Sequence, residues 1–514
     1  MSNDNGNLDS GQQPLHGAAL LVAAIFTALA NFIAVLDMTI ANVSVSTISG
    51  ALGITNSQGT WVITSYAVAE AITVPLTGWL ASRFGTVRVF VIAVGAFGLA
   101  SALCGMSNSL GFLVGARVLQ GLAGGPIVPL SQTLLLRIFP KEKAGAATAI
   151  WGMTTLVAPV MGPMIGGYIC DNTAWEWIFF INIPIAIAIA WVAGQMLRRY
   201  ETPLQKNRID VVGLILLVIW VGSLQIMLDE GKDLDWFSSS YIASLAVIAA
   251  IGFVAFLIWE TTEEHPIVDL RSFRHRGFSM CVISQTITFG AMFGVNVLNP
   301  LWLQNFMGYT ATMSGLTVAW MGVLAILVAP LSISFISKID ARAIISLGAG
   351  WMGVVILWRA AGTTDMTYWQ ISLQLLAFGV GLSLYFIPLI AVALSNVDDS
   401  EVAAAAGLLN FTRTLSGAFA TSLTVTSWED GIKSSYAELV EKLDPMGDVV
   451  RSMQESGMTM ESIRAYLAGL TQGQAVMLAT NNLFIVMAGV FAIGAIIVWF
   501  SPRPSKVVDT SGVH

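Results

Sequence analysis

Residues 154–169 read TTLVAPVMGPMIGGYI, an apolar stretch that carries the cluster Gly162-Pro163-Met164-Ile165-Gly166-Gly167. A proline inside a membrane helix removes one backbone hydrogen bond and bends the helix. Glycines at four-residue spacing let a neighbouring helix approach closely. The stretch therefore predicts a kinked, tightly packed helix, as expected in a protein that changes conformation. Its conformational motif is Gly162, Pro163, Gly166 and Gly167.

The composition around this stretch is that of a membrane protein. The chain has 514 residues, of which 55% are hydrophobic and 11% charged, and its mean hydropathy is +0.75. A soluble protein carries about 25% charged residues, so there are too few charges here to solvate a globule of this size. The three cysteines form no CxxC pair, and neither a metal site nor a disulfide framework is expected. We predict an all-α polytopic membrane protein.

Fourteen apolar blocks of about the length that crosses a bilayer follow one another along the chain. An even number of spans places both termini on the same side of the membrane. The blocks are 18–40, 61–80, 89–106, 110–136, 144–169, 177–197, 209–228, 241–259, 278–299, 313–336, 344–361, 369–393, 403–427 and 480–500.

The basic residues between the blocks set the orientation, because inner loops are enriched in Lys and Arg. With the N-terminus inside, sixteen basic residues lie in inner segments and five in outer ones. The inner residues are Arg83, Arg88, Arg137, Lys141, Lys143, Arg198, Arg199, Lys206, Arg208, Arg271, Arg274, Arg276, Lys338, Arg342, Arg503 and Lys506. Both termini are therefore predicted to be cytoplasmic.

Two charged breaks, at 198–208 and 260–276, divide the spans into six, two and six, as a duplicated transporter with an inserted pair would show. The predicted segments are a cytoplasmic tail (1–17), an N-terminal six-helix bundle (18–200), an inserted pair (201–265), a C-terminal six-helix bundle (266–500) and a second tail (501–514). An outer loop, 428–478, contains spaced apolar residues. It is predicted either to form one or two short amphipathic helices that dock a partner, or to be a solvated connector.

The first, second and fourth predicted spans each contain one charged residue, and such a residue costs about 2.5–3.5 kcal/mol at a helix centre. Asp37 and Arg117 lie at similar depth in the first and fourth spans, so they can pair if those helices touch. Glu70 lies near the middle of the second span. Burial in a dry cavity opposes the charged form of a carboxyl, a property that a proton carrier needs. The alternatives are a structural Asp37–Arg117 pair and a protonated Glu70 that bonds a neighbouring helix.

Aromatic, methionine and polar side chains within the spans are candidates to line a cavity for hydrophobic ligands, since soft apolar surfaces accept diverse molecules. Most such side chains in membrane helices face lipid or pack, so each remains a candidate only. Arg359, near the outer end of its span, is expected to extend towards water. The cavity candidates are Asn42, Gln120, Trp151, Met153, Trp320, Tyr385, Phe386 and Arg413.

Several motifs together resemble the fourteen-helix drug:proton antiporters of the major facilitator superfamily. GWLASRFGTVR (78–88) resembles the signature loop between the second and third helices, LVGARVLQG (113–121) the fourth-helix motif, and 162–167 the fifth-helix antiporter motif. LDMTIAN (36–42) and WIFFINIP (177–184) are similar to further hallmarks of that group. The resemblance covers nearly the whole chain.

This resemblance implies a major facilitator fold, two six-helix bundles with two inserted helices, that rocks about a central cavity. It implies that Arg117 takes part in coupling protons to transport. Asp37 and Glu70 are added as proton-coupling candidates because of their position in the membrane, and Glu70 departs from the family motifs, in which no matching carboxylate is identified. The resemblance also implies conformational roles for Gly78, Arg83, Gly85, Arg88 and Gly121. Ser82 departs from the loop motif, which often has aspartate there, and Ser46 departs from the first-helix motif, which usually ends in proline.

The resemblance further implies proton-coupled export of diverse hydrophobic drugs or toxic compounds across the bacterial inner membrane, with the proton as coupling ion and no other cofactor. A periplasmic adaptor and an outer-membrane channel are the implied partners, and no nucleic acid is. The alternative within transport is a dedicated exporter of a siderophore, fatty acid or antibiotic. A receptor or channel and a membrane enzyme are the other classes. No Walker loop, nucleophile elbow or metal-spaced cluster occurs in the sequence, which favours a secondary active transporter.

Overall fold

The computed structural model of the chain describes residue 15 and residues 17–140, 144–204, 208–231, 233–264, 266–336, 339–397, 402–442 and 448–502. Of these described residues, 86% are helical, and they contain no strand. The helices are α1 (Gly17–Leu52), α2 (Asn56–Gly59), α3 (Trp61–Thr73), α4 (Thr77–Phe84), α5 (Thr86–Gly105), α6 (Leu110–Gly124), α7 (Ile127–Ile138), α8 (Ala144–Asn172), α9 (Trp177–Phe180), α10 (Asn182–Met196), α11 (Val211–Glu230), α12 (Ser240–Thr262), α13 (Arg276–Asn305), α14 (Ala311–Ile336), α15 (Ala341–Ala360), α16 (Tyr368–Ser395), α17 (Val402–Glu441), α18 (Asp448–Glu455) and α19 (Met460–Ile497). Short 3-10 helices lie at Arg198–Tyr200, Trp236–Ser238, Leu270–Arg274 and Val498–Phe500.

The predicted all-α polytopic class is confirmed. Twelve helical segments of the described chain are long and apolar enough to cross a membrane. The predicted block 61–80 falls on α3 and α4, which a turn at residues 74–76 separates, and 403–427 falls within α17. The full count of fourteen spans and the cytoplasmic location of both termini stay predictions, and residues 1–14, 16 and 503–514 of the two tails lie outside the described residues.

The helices pack in two sets with a pair between them. In the N-terminal set (α1–α10), α1 packs on α8, α3 on α6, and α5 on α6 and α10. In the C-terminal set (α13–α19), α14 packs on α16, α15 on α16 and α19, and α13 on α17. The inserted helices α11 and α12 pack on each other. This packing is compatible with the proposed segments, whose boundaries stay predictions.

The two sets meet along reciprocal helix pairs. The fifth span of the N-terminal set is α8, and it packs on α14, the second span of the C-terminal set. Conversely, the second span of the N-terminal set begins with α3, which packs on α17, the fifth span of the C-terminal set. This exchange of second and fifth spans is the arrangement of two structural repeats. Between them α1 contacts α13, and the inserted α11 contacts both α3 and α17.

The two sets are in contact at one end of the molecule. We call this the outer end, following the charge bias; it holds the connections 53–55, 106–109, 173–176, 306–310 and 361–367. Here Asp171 accepts hydrogen bonds from the backbone N–H groups of Ala311 and Thr312, and Gln304 donates to the carbonyl of Val43. The structure is therefore closed at its outer end. Between the inner halves of α1 and α8, apolar side chains line a cavity of about 270 Å³.

The prediction that 428–478 is a loop was wrong over most of that range, although one of the short amphipathic helices predicted within it is present. Residues 428–441 continue α17, and 460–478 are the beginning of α19, so that both helices extend past the apolar blocks that identified them. Between them lies α18, a single short amphipathic helix that packs on α19. The error has a physical cause: hydropathy detects the part of a helix that lies in lipid, whereas a helix continues wherever its backbone bonds are satisfied.

Candidate functional site

A buried ion pair joins the first and fourth spans. One oxygen of Asp37, Oδ2, lies 2.5 Å from Nη1 of Arg117, and neither side chain is exposed at all. The sequence allowed this pair on grounds of depth, and the structure brings the two residues together. A buried pair repays the cost of desolvation only when further hydrogen bonds satisfy its remaining polar atoms.

Amide and hydroxyl groups from two more helices complete the pair. Gln120 Nε2 donates to Asp37 Oδ1 at 2.9 Å and to Ser101 Oγ at 2.7 Å. Asn182, at the start of α10, donates to the same Asp37 oxygen at 2.8 Å. Arg117 in turn donates to Gln120 Oε1 at 2.7 Å. Helices α1, α5, α6 and α10 therefore share one network, which we call the Asp37 network: Asp37, Ser101, Arg117, Gln120 and Asn182.

The Asp37 network also touches α3. The Nε of Arg117 donates to the carbonyl of Val62 at 2.7 Å, and its guanidinium lies 4.3 Å from the centre of the Tyr66 ring. Arg117 Nη2 and the Tyr66 hydroxyl have no hydrogen-bond partner among the described residues. If Asp37 were neutralised, the guanidinium would lose its counter-charge while still bonded to α3. Asp37 is thus connected through Arg117 to α3, the helix that carries Glu70.

Gly121 explains how close α3 and α6 come. A Cβ at this position would collide with the carbonyl of Tyr66 and would lie 2.8 Å from the Ala69 side chain and 3.1 Å from the nitrogen of Glu70. A side chain at this position would therefore force α3 and α6 apart, while the conformational role of Gly121 stays a prediction.

Glu70 lies at the interface between the two sets of helices. Its side chain is 7% exposed, and Oε2 has no hydrogen-bond partner in the described part of the chain. The sequence offered no basic neighbour, but α17 brings Arg413 close enough to interact electrostatically with the Glu70 carboxyl. Arg413 is half-buried, and its guanidinium lies 5.7 Å from the centre of the Phe289 ring.

Four of the cavity candidates form hydrogen bonds with other side chains of the protein. Gln120 belongs to the Asp37 network. Tyr385 is fully buried within the C-terminal set, where its hydroxyl and Ser284 Oγ are 2.7 Å apart. Trp151 Nε1 donates to Ser131 Oγ at 3.2 Å, and Trp320 Nε1 donates to the Tyr368 hydroxyl at 3.1 Å. Their roles in binding stay predictions.

The remaining candidates are spread over four helices, α1, α8, α16 and α17. Phe386 is half-buried and packs edge-on against Phe289, so Phe386 and Arg413 share a neighbour on the C-terminal set. Asn42 is buried in α1, and its Oδ1 has no partner among the described residues. Met153 lies in α8, and its side chain is outside the described part of the structure.

The glycines of α8 face two different helices. A Cβ at Gly162 would meet Thr39 and Ile40 of α1, and one at Gly166 would meet Ile40 and Ser44 of the same helix. A Cβ at Gly167 would collide with the carbonyl of Ala311, which opens α14. Pro163 lies inside the same helix, and its carbonyl abuts Gly315 of α14. The predicted close packing is therefore present, and it includes the contact between the two sets.

The inner signature loop is arranged around an acidic residue that the sequence did not single out. Gly85 has φ of +97°, and a Cβ there would lie 2.5 Å from a carboxylate oxygen of Glu201. Glu201 accepts from the N–H groups of Val87 and Arg88, at 2.9 and 3.1 Å, and so caps the start of α5. The Arg88 guanidinium is 3.9 Å from the same carboxylate. Gly78 adjoins open space, and Arg83 is exposed.

Arg359 was expected from the sequence to extend towards water, and this expectation is wrong. Arg359 is 2% exposed, donates to Asn299 Oδ1 at 2.5 Å and to Gln374 Oε1 at 3.2 Å, and lies over the rings of Trp302 and Phe484. A position near a helix end is not sufficient for exposure, because the neighbouring helices here extend beyond it.

Three further polar residues of the membrane region were not identified from the sequence pattern: Ser101, Asn182 and Asp229. Asn182 and Ser101 are uncharged and were not separated from ordinary polar residues of the spans. Asp229 lies one residue past the end of a predicted block, 209–228, and it is 5% exposed. An acidic residue at the end of an apolar block, where packing can still bury it, is the signal that could have identified it.

Comparison with known proteins places this geometry in a family. The model of the Major Facilitator Superfamily matches residues 27–421. The Multidrug export protein EmrB of Escherichia coli (strain K12) is 42% identical over 498 residues, which cover 96% of this chain and 97% of that protein. The Fatty acid resistance protein FarB of Neisseria gonorrhoeae is 39% identical over 495 residues, covering 96% and 98%.

Solved structures share the fold at much lower identity. A D-xylose-proton symporter superposes with a TM-score of 0.62 at 13% identity, covering 96% of this chain and 100% of that one. A POT family transporter superposes with a TM-score of 0.65 at 16% identity, covering 95% and 96%.

Proposed function

The chain belongs to the major facilitator superfamily, in which it is an EmrB-like multi-pass membrane transporter and not an enzyme, and on that basis we propose that it exports structurally diverse hydrophobic drugs or toxic compounds in exchange for protons. The membrane would be the inner membrane of a bacterium. Multidrug export is named for the EmrB relatives, which this chain matches over nearly its full length.

The observation that carries the proton-coupled part of the proposal is the Asp37–Arg117 pair. The Asp37 carboxyl accepts hydrogen bonds from three nitrogen donors inside an apolar bundle, so a change in its charge would disturb its bonds to three other residues. Its neutralisation would release Arg117, which is bonded to the α3 backbone beside Tyr66. Proton binding and helix movement would then share one free energy, which is the linkage that exchange requires. The membrane potential would contribute about 2.3 kcal/mol per charge per 100 mV.

Drug movement in inverted membrane vesicles tests proton coupling. With an acidic interior imposed, a fluorescent hydrophobic dye should accumulate in vesicles that contain the transporter, and a protonophore should abolish this accumulation. Vesicles without the transporter provide the baseline. Accumulation that is equal with and without the pH difference would contradict proton exchange.

We also propose that the transporter works with a periplasmic adaptor (EmrA-like) and an outer-membrane channel (TolC-like). Support comes from the outward extensions of α17 and α19 and from α18 between them. Large apolar side chains are exposed on this part of the chain, at Val440, Met458, Met460, Tyr466 and Leu470. Exposed apolar residues next to the predicted membrane surface are typical of a protein contact.

An affinity pull-down tests this surface. Tyr466→Ser with Leu470→Ser should reduce co-purification of the adaptor about tenfold, because buried aromatic and apolar anchors dominate interface energies. The control is Arg464→Ser, an exposed change on the same helix at a polar position. Undiminished adaptor recovery by the double variant would exclude this surface.

Export of one dedicated metabolite, such as a siderophore, fatty acid or antibiotic, is the second candidate. The FarB relative, which is named for fatty acid resistance, favours it weakly. Competition of unlabelled fatty acids against the dye in the vesicle experiment distinguishes a shared cavity from a drug-specific one.

A further inference from the structure

We propose that the inserted helix α11 fastens the outer closure of the transporter, and that Asp229, in its last turn, is the positioning residue for this closure. Neither the sequence motifs nor the Asp37 network assigns a role to the inserted pair of helices. The role proposed here is in the closed state, whichever cargo or ion is moved.

Asp229 bonds to both sets of helices at once. Its Oδ2 accepts from Thr64 Oγ1 of α3 at 2.8 Å, and its Oδ1 accepts from the hydroxyl of Ser422 of α17. Gln225, one turn earlier on α11, donates to Asp229 Oδ2 at 3.0 Å and to Ser422 Oγ at 2.7 Å. One carboxylate is therefore the common acceptor for residues 165 and 193 positions away in the chain.

Burial makes these contacts strong. Asp229, Thr64, Ser422 and Gln225 are each no more than 5% exposed. A hydrogen bond to a charged group contributes more than one between neutral groups, and removing the acceptor leaves buried donors unsatisfied. Separation of α3 from α17 would break the bonds from Thr64 or Ser422. The closed arrangement is thus favoured for as long as Asp229 holds both hydroxyls.

A second carboxylate, Asp171, also joins the two sets of helices at the outer end, on the side of α8, and its contact is weaker than that of Asp229. Asp171, in the last turn of α8, accepts from the N–H groups of Ala311 and Thr312 at 3.0 and 2.6 Å and so caps α14 of the other set. This carboxylate is exposed, and water competes with it for the same donors. The α11 side should therefore contribute more to the closure than the α8 side.

The test measures the distance between the two sets at the outer end. Spin labels are placed by Asn108→Cys and Asp365→Cys, two exposed residues on outer connections of opposite sets, with Cys170→Ser to remove the half-buried native thiol. In the parent protein in liposomes, pulsed electron paramagnetic resonance should show a predominant short distance between the two spin labels. Asp229→Asn should raise the ratio of open to closed molecules about tenfold, and Asp171→Asn about threefold.

Matched variants separate positioning from general damage. Glu230→Gln, next to Asp229, and Asn172→Ala, next to Asp171, should leave the distance distribution unchanged. If Asp229→Asn does not fold, Thr64→Val with Ser422→Ala removes the same bonds from the other side and should open the outer end. A distance distribution that neither change alters, in folded protein, would overturn the proposal. So would a fall in thermal stability without a change in distance, since that is the result of a merely structural role.

Discussion

The Asp37 carboxylate and the Arg117 guanidinium lie 2.5 Å apart and are fully buried, so each neutralises a charge that the apolar bundle would otherwise leave uncompensated. Gln120 and Asn182 donate to the other carboxylate oxygen. The pair therefore has a structural role in addition to its proposed role in proton coupling.

Neutralising Asp37 should separate its structural role from its role in coupling. Asp37→Asn leaves Arg117 as an uncompensated buried charge and should lower the free energy of unfolding by about 3–5 kcal/mol. Asp37→Asn with Arg117→Gln removes both charges and should recover most of that stability, yet neither variant should export drug. Thermal unfolding of purified protein and dye efflux from cells measure the two effects.

Asp365→Asn, an exposed change of the same chemistry, is the control for this comparison. Efflux at the parental rate in the double variant would show that the pair is only structural. A double variant as unstable as the single one would show that the buried guanidinium is not the source of the loss.

Arg359 shows the limit of depth as an argument. Its position near a helix end predicted contact with water, but α13, α16 and α19 surround it with Asn299, Gln374 and Phe484. Whether a terminal arginine reaches solvent depends on how far its neighbours extend, and hydropathy does not give that length.

Helices were predicted well as elements and poorly at their ends. Apolar blocks identified nearly every long helix, because the length of a span is set by the thickness of the bilayer. The ends were missed where helices continue into polar sequence, as α1 does to Leu52 and α17 to Glu441. The break between α3 and α4 at residues 74–76 was also missed, although Pro75 cannot donate a backbone hydrogen bond there.

The contact between α8 and α14 should be the most sensitive to added volume. Gly167→Leu places a side chain against the Ala311 carbonyl and should prevent the outer end from closing, so that drug resistance falls to the level of cells without the transporter. Gly152→Leu is the control on the same helix, since a Cβ there meets nothing within 4 Å. Resistance is measured by growth in drug, with membrane protein level measured in parallel.

Two outcomes would contradict this prediction. Resistance retained by Gly167→Leu would show that the α8–α14 contact is not needed. Equal loss in Gly152→Leu would show that bulk anywhere on α8 is harmful, and the contact would then have no special role.

At the scale of the whole molecule, the fold was predicted from the sequence, but the contacts between the two sets of helices were not. Motifs and spans were sufficient for the superfamily, which the comparisons confirm. Nothing in the order of residues showed that Arg413 would act on Glu70, or that Asp229 would bond Thr64 and Ser422. These contacts join positions more than 160 residues apart, and they depend on one particular arrangement of the two sets.

The seam between α8 and α14 is built largely from main chain and from the absence of side chains: Gly167 lies against a carbonyl, Gly315 against Pro163, and Gly322 against Val160. Contacts of this kind depend on small residues and on backbone atoms. Side chains elsewhere on α8 and α14 can therefore vary without changing how closely the two backbones approach.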